Sequence, residues 1–227
     1  MLAGLDPGKI WNWESCAGKK RWQKRVALLS SGLTPGASVL ELGCGTGYFT
    51  REFIKTDTLV TAIDISPDLL EIARNNISAE NLTFYLMNAY SMNFPDASFD
   101  YIIGSSVLHH LDVGKALSEI YRVLKPGGEV RFTEPNMMNP QIAVQKNIPL
   151  IKRYMGDSPG ETAFFSFILK QDMKKAGYRS VQITPFDFLH PGIPGKAAGF
   201  VDRLGKTLEK IPLLKEIAGS LFITALK

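Results

Sequence analysis

A turn with glycines at alternate positions, Gly43, Gly45 and Gly47, constrains this chain more than any other feature; Glu41 stands two residues ahead of it and Cys44 inside it. Residues 39–42 read as a short apolar strand carrying one acid, and helical spacing resumes after Thr46, so the turn joins a strand to a helix. Glycines at such a junction let a ligand approach the backbone closely, and the following helix points free N–H groups at it. The dinucleotide pattern Gly-x-Gly-x-x-Gly is not met, because Tyr48 holds the place of the third glycine. A nicotinamide cofactor is therefore disfavoured.

Residues 59–64 form a second β-branched run ending in Asp64, an acid about 20 residues beyond the glycine turn. A carboxylate at the end of the second strand offers two adjacent oxygens to a ribose diol, and Ile65 beside it offers an apolar wall for an adenine ring. Ser66 and Pro67 are better placed than Asp64 to start the next helix, as N-cap and first helical residue. A third strand starts at Leu82 and leads to Asn88 and Ala89. A fourth follows the Pro95-Asp96 turn and ends at Ser105, on the carboxyl edge where open parallel sheets bind ligands.

Glu41 and the glycine turn, the string from Phe94 to Asp100, the Leu108-His109-His110-Leu111 run and the stretch from Arg122 to Gly128 together resemble the class I S-adenosylmethionine-dependent methyltransferases, of the small-molecule, UbiE-like type. The resemblance covers residues 39–135. It implies an α/β, Rossmann-like mixed sheet of seven strands in the order 3-2-1-4-5-7-6, with the last strand antiparallel and helices on both faces. It also implies S-adenosylmethionine (SAM) as methyl donor and S-adenosylhomocysteine (SAH) as product. The cofactor residues are then Glu41, Gly43, Cys44, Gly45, Gly47, Asp64, Ile65, Asn88, Ala89 and Ser105. Relatives carry an acid at the Asn88 position, but an amide can still accept from an adenine amino group and donate to a ring nitrogen. The segment before the first strand often folds over the cofactor in such proteins, which makes Trp22 and Arg25 candidates to cover SAM or meet its carboxylate.

SAM is already activated, so the protein's task is to align donor and acceptor and exclude water. A hydroxyl acceptor needs a base. His109 and His110 are adjacent and cannot both face a pocket, and the resemblance favours His110, with Glu134 second. The plainer readings are a packing histidine that starts the next helix, and a Glu134 that caps or braces a loop. Asn136 emerges at the same edge as a further polar group. The acceptor is expected to be a small or lipid-like molecule with an O, N or C nucleophile. The apolar 137–155 stretch and the aromatic, proline-rich 185–194 stretch hint at a hydrophobic or amphipathic one. A SAM-binding protein without transfer activity, acting as a regulatory partner, is the alternative.

The remaining chain reads as an irregular arm over 1–13, a basic-faced helix over 14–31, a helix over 48–55, and a linker with one helix over 137–161. A helix over 161–176, a strand over 178–184, a helix over 196–217 and a final strand over 220–226 follow. The helix over 196–217 is a lid, a dimer surface or a membrane-surface element, against the plainer packing on the sheet. These pieces suggest a single domain over 1–227: a helical cap over 1–33, a cofactor-binding core over 34–135, and substrate-side and lid elements over 136–227. An apolar content of 45% and a formal charge of +4 over 227 residues exclude disorder and do not indicate nucleic acid. Two cysteines and no Cys/His spacing of zinc type suggest no disulfide framework, no metal site and a cytoplasmic setting, as monomer or homodimer. No apolar run is long enough to span a membrane.

Overall fold

The computed structural model describes residues 12–154, 157–158 and 160–227; most of the expected N-terminal arm, Trp11 included, and Pro159 lie outside them. Seven strands form one sheet in the order β3-β2-β1-β4-β5-β7-β6. In chain order they are β1 (Ser38–Leu42), β2 (Leu59–Asp64), β3 (Leu82–Leu86), β4 (Phe99–Ser105), β5 (Leu124–Pro135), β6 (Arg179–Phe186) and β7 (Ser220–Leu226). The β1, β2, β3, β4 and β5 pairings are parallel, whereas β7 runs antiparallel to both β5 and β6. The expected order and the antiparallel last strand are thus observed.

The helices cover the sheet as their apolar periodicity dictates. In α1 (Cys16–Ser30), Ser15 accepts from Gly18 N at 2.9 Å as N-cap, and Arg25 and Leu29 are buried four apart on one face. Helix α2 (Thr50–Phe53) has only four residues, shorter than the spacing suggests, with turns on either side. Helix α3 (Pro67–Asn76) starts as read from sequence, with Ser66 as N-cap and Pro67 at its first position. Helix α4 (Val113–Val123) buries Ala116, Leu117, Ile120 and Val123, one stripe laid on the sheet. That stripe joins Leu40, Ile102, Val130, Phe132 and Ile223 in the main core, all of them fully buried.

After β5 the structure departs from the sequence reading in three places. The 137–161 linker contains two helices, α5 (Pro140–Asn147) and α6 (Pro149–Tyr154). The helix expected from 161 starts only at α7 (Ser166–Lys175), because the residues before it pair with the end of β5: Phe164 N donates to Pro135 O at 3.0 Å and Met137 N to Phe164 O at 2.9 Å. The 196–217 helix is broken into α8 (Gly195–Leu208) and α9 (Pro212–Lys215), where Pro212 cannot continue the preceding turn. Among the described residues no helix is long and apolar enough to cross a membrane.

Candidate cofactor cavity and histidine pair

A cavity of about 470 Å³ opens at the carboxyl edge of β1, β2 and β4, where the strand order reverses. The glycine turn is one wall. Gly43 and Gly47 both adopt left-handed backbone, and a side chain there would strike Val107 Cγ2 at 2.6 Å or Ile77 Cδ1 at 2.3 Å. At Gly45, also left-handed, a Cβ would meet nothing within 4 Å. All three positions favour glycine by their backbone, the outer two also lie against Val107 and Ile77, and the middle one opens on space.

Asp64 is locked against that turn, its Oδ2 accepting from Gly45 N at 2.7 Å and its Oδ1 from Ser66 N at 2.9 Å. A carboxylate has about four acceptor sites, so both oxygens retain capacity for a diol. Ile65, 68% exposed, lines the cavity with Leu69 and Met87. Asn88 and Ala89 line it too; Asn88 Oδ1 accepts from Tyr90 N at 2.9 Å. Ser105 reaches it with Thr133 Oγ1 at 2.9 Å from its hydroxyl, and Ser106 beside it sits at φ 57, a strained conformation for a serine. Cys44 lines the wall as well, but burial, with Glu41 and Asp64 adding to it, pushes its thiol well above the usual range, so it is no nucleophile.

Four of the residues expected to touch cofactor lie outside the cavity lining. Glu41 is 3% exposed beneath the turn, its Oε2 accepting from Thr50 Oγ1 at 2.6 Å, and Gly47 faces Ile77. Trp22 packs instead on Tyr48 and Phe49, ring centroids 5.5 and 6.5 Å away. Arg25 is 3% exposed and donates to Asp187 Oδ2 at 2.7 Å and Ser220 Oγ at 2.6 Å, so it cannot meet a cofactor carboxylate. Among the described residues Trp13 is the tryptophan that lines the cavity, stacked with Tyr48 at 6.4 Å. Its place just ahead of the helix was visible in the sequence, but nothing in its spacing separated it from Trp22.

The stretches proposed as acceptor walls are also elsewhere. Phe186 and Leu189 are buried, and Asp187 lies under Arg21 and Arg25. No described residue of 137–155 or 185–194 lines the cavity. Asn136 is fully buried, its Nδ2 donating to Glu216 O at 2.9 Å and Ala218 O at 2.7 Å.

The histidine pair divides as adjacent residues must. His110 lines the cavity, while His109 turns inward and is 4% exposed. Glu134, 1% exposed, is not a second base at the mouth: Oε1 accepts from Val107 N at 2.9 Å and Leu108 N at 2.8 Å, and Oε2 lies 2.7 Å from His109 Nδ1. It caps the single 3₁₀ turn (Leu108–His110) that carries both histidines.

On the other side of His109 stands Glu161, which the sequence reading passed over. Its Oε1 lies 3.5 Å from His109 Nε2 and 2.7 Å from Lys146 Nζ, and its Oε2 lies 3.6 Å from His110 Nδ1. Burial alone would lower the His109 pKa, but the bonds to Glu134 and Glu161 outweigh it and push it up to about 9. Burial and the neighbouring His109 charge lower His110, which keeps it neutral at neutral pH. Glu161 stays well below the usual carboxylate range, since His109 and Lys146 overcome the opposing effect of burial. Its ligand-type atoms and those of the two histidines fall within 4.8 Å of one another, close enough to chelate a metal. The Lys146 ammonium already supplies the cation at Glu161, so the cluster reads as a charge network.

A family profile described as Methyltransferase domain matches residues 40–132. The chain is 42% identical over 113 residues to a demethylmenaquinone methyltransferase of Tropheryma whipplei (strain Twist), covering 49% of this chain and 47% of that protein. It thus spans about half the length of that curated relative. A demethylmenaquinone methyltransferase of Staphylococcus aureus (strain JH9) is 32% identical over 190 residues, 74% of this chain and 78% of the relative. Among solved structures, phosphoethanolamine N-methyltransferase 2 of Haemonchus contortus, in complex with phosphomonomethylethanolamine and SAH, superposes with a TM-score of 0.71 at 20% identity, over 100% of this chain and 59% of the other. At that identity the likeness concerns the fold alone.

Proposed function

This chain belongs to the class I S-adenosylmethionine-dependent methyltransferases, of the UbiE-like type, and from that premise we propose that it transfers the methyl group of SAM to an apolar, planar small-molecule acceptor. One observation carries the reading: Gly45 N bonds Asp64 Oδ2 at 2.7 Å, so the glycine turn and the acid form one wall of a cavity whose far side holds His110. SAM supplies a sulfonium methyl. Asp64 takes the ribose hydroxyls, Ile65, Leu69 and Met87 flank the adenine, and Asn88 and Ala89 meet its edge. Gly43, Cys44, Gly45 and Ser105 would hold the methionine end.

Trp13, Tyr48, Phe49 and Tyr90 leave the rest of the cavity largely aromatic, which suits a flat apolar ring. In the transfer step the acceptor's nucleophilic atom bonds the methyl carbon as the carbon–sulfur bond breaks, leaving SAH as a neutral thioether. The acceptor proton passes to His110, whose neutral imidazole becomes imidazolium, so the positive charge moves from sulfur to the histidine.

The names of the relatives suggest reduced demethylmenaquinone as the first acceptor to try. With methyl-tritiated SAM, label is expected in the quinone fraction with wild-type protein, and His110→Ala should lower the rate by about 100-fold or more. Asp64→Ala should weaken SAH binding at least tenfold by calorimetry. Undiminished SAH affinity in Asp64→Ala would overturn the cofactor reading; SAH binding with no label in any acceptor would favour a non-catalytic SAM-binding protein.

A further inference from the structure

Glu161 comes from a different part of the chain than the histidines it touches. It lies on the strap between α6 and α7, 6% exposed, and the strap is anchored where it stands: Thr162 N donates to His109 O at 3.4 Å, Phe164 pairs with the end of β5, and Ser158 N donates to Glu161 Oε2 at 3.1 Å. Lys146 from α5 holds Oε1 at 2.7 Å and is itself held by Asp157 Oδ2 at 3.0 Å. The carboxylate thus faces both imidazoles, whose ring centroids are 4.1 Å apart.

We propose that Glu161 is a positioning residue for His110: its Oε2 fixes the ring in the tautomer that carries hydrogen on Nδ1 and leaves Nε2 as the proton acceptor at the cavity wall. This rests on the reading of His110 as base. Two features of the surroundings favour the assignment. His110 Nδ1 lies 3.6 Å from Glu161 Oε2, a separation that one small ring rotation closes to a hydrogen bond. The network also has the charge balance the reaction needs. The cations acting on His110 are His109 and Lys146, and the anions are Glu161 and Glu134, with Asp157 paired to Lys146 behind them. His109, charged up to about pH 9, keeps His110 unprotonated before transfer, and Glu161 offsets the second imidazolium that forms during it. Without that carboxylate, two like charges would sit on rings 4.1 Å apart at the moment of proton transfer.

The chain contains only three histidines, so their imidazole nitrogens can be assigned in protein labelled with ¹⁵N-histidine and saturated with SAH. The wild-type spectrum is expected to show one imidazolium that persists to about pH 9, His109, and a neutral His110 with hydrogen on Nδ1. In Glu161→Gln the His110 tautomer should shift toward Nε2–H. The turnover number with reduced demethylmenaquinone should fall ten- to a hundredfold, with KM for SAM unchanged. Lys146 keeps Asp157 as its partner in that variant, and the wild-type spectrum tests the tautomer even if the variant does not fold. In a His110→Ala background, adding Glu161→Gln should cost less than twofold more. The proposal is overturned by Nε2–H on wild-type His110, by an unchanged tautomer in Glu161→Gln, or by the same fall in rate with and without His110. A His110→Ala protein that keeps the full rate overturns the base reading instead, whatever tautomer the spectrum shows.

Discussion

Glu41 is buried outside the cavity lining. The resemblance implied a cofactor ligand, yet Glu41 lies beneath the turn, held by the Thr50 hydroxyl. Burial, with Asp64 acting in the same direction and the Thr50 bond opposing, pushes its carboxyl up to about 8 from 4.5. The folded protein therefore holds a proton that the unfolded chain has released, so this contribution to stability is complete below pH 4.5 and is lost as pH rises through 8. Glu41→Gln keeps an acceptor for Thr50 without the ionisation. Urea unfolding should give nearly equal stabilities at pH 5, with the variant ahead by about 2–5 kcal/mol at pH 9. Parallel pH curves for the two proteins would refute the raised carboxyl. The decline that His109 causes between 6.5 and about 9 has the same sign, but it is common to both proteins and cancels in the difference. At this scale local spacing picked out Asp64 and Gly45, and the resemblance picked out His110; all three line the cavity. Arg25 was misassigned and Glu161 missed for one reason: their partners are long-range, with Asp187 162 positions from Arg25, and no window of sequence contains both ends.

Among elements, α1 is tied to the C-terminal part of the chain through a buried charge cluster. Asp187, just after β6, accepts from Arg21 at 3.1 Å and Arg25 at 2.7 Å, while Arg25 also donates to Ser220 at the start of β7. Asp187 sits at φ 73, a backbone region that asparagine also tolerates, so Asp187→Asn removes charge with little added strain. Leaving two arginines without their anion should cost about 3–5 kcal/mol in urea unfolding. Breaking the more exposed Lys24–Glu209 pair with Lys24→Met should cost about 1 kcal/mol or less. A loss below about 1 kcal/mol for Asp187→Asn would mean the cluster does not hold α1 down. Helix stripes and caps at this scale were legible, as α3 and α4 demonstrate. The start of α7 was not, because residues 161–165 satisfy their backbone against β5, a pairing that periodicity does not encode. The break between α8 and α9 was written in Pro212 and should have been read there.

For the molecule as a whole, strand order could be inferred because the motifs pinned the parallel strands and the resemblance supplied the antiparallel edge; acceptor identity could not, because the walls expected to bound it pack elsewhere. A ligand that binds only the folded state stabilises it by about 2.7 kcal/mol at a hundred times its Kd. For a chain of this size that corresponds to a rise of roughly 5–10 °C in Tm. SAH at that excess should produce such a rise in a thermal melt and NAD none; a comparable shift with NAD would contradict the glycine spacing argument.

The profile match ends at residue 132, whereas the carboxylate beside the histidines comes from residue 161 and the indole over the cavity from residue 13. His110 itself lies inside the matched stretch, so the imidazole and the carboxylate that faces it come from separate parts of the chain joined only by folding. Exchange of the strap would therefore change the charge beside the histidines and leave the glycine turn and Asp64, which lie wholly within the matched stretch, as they are.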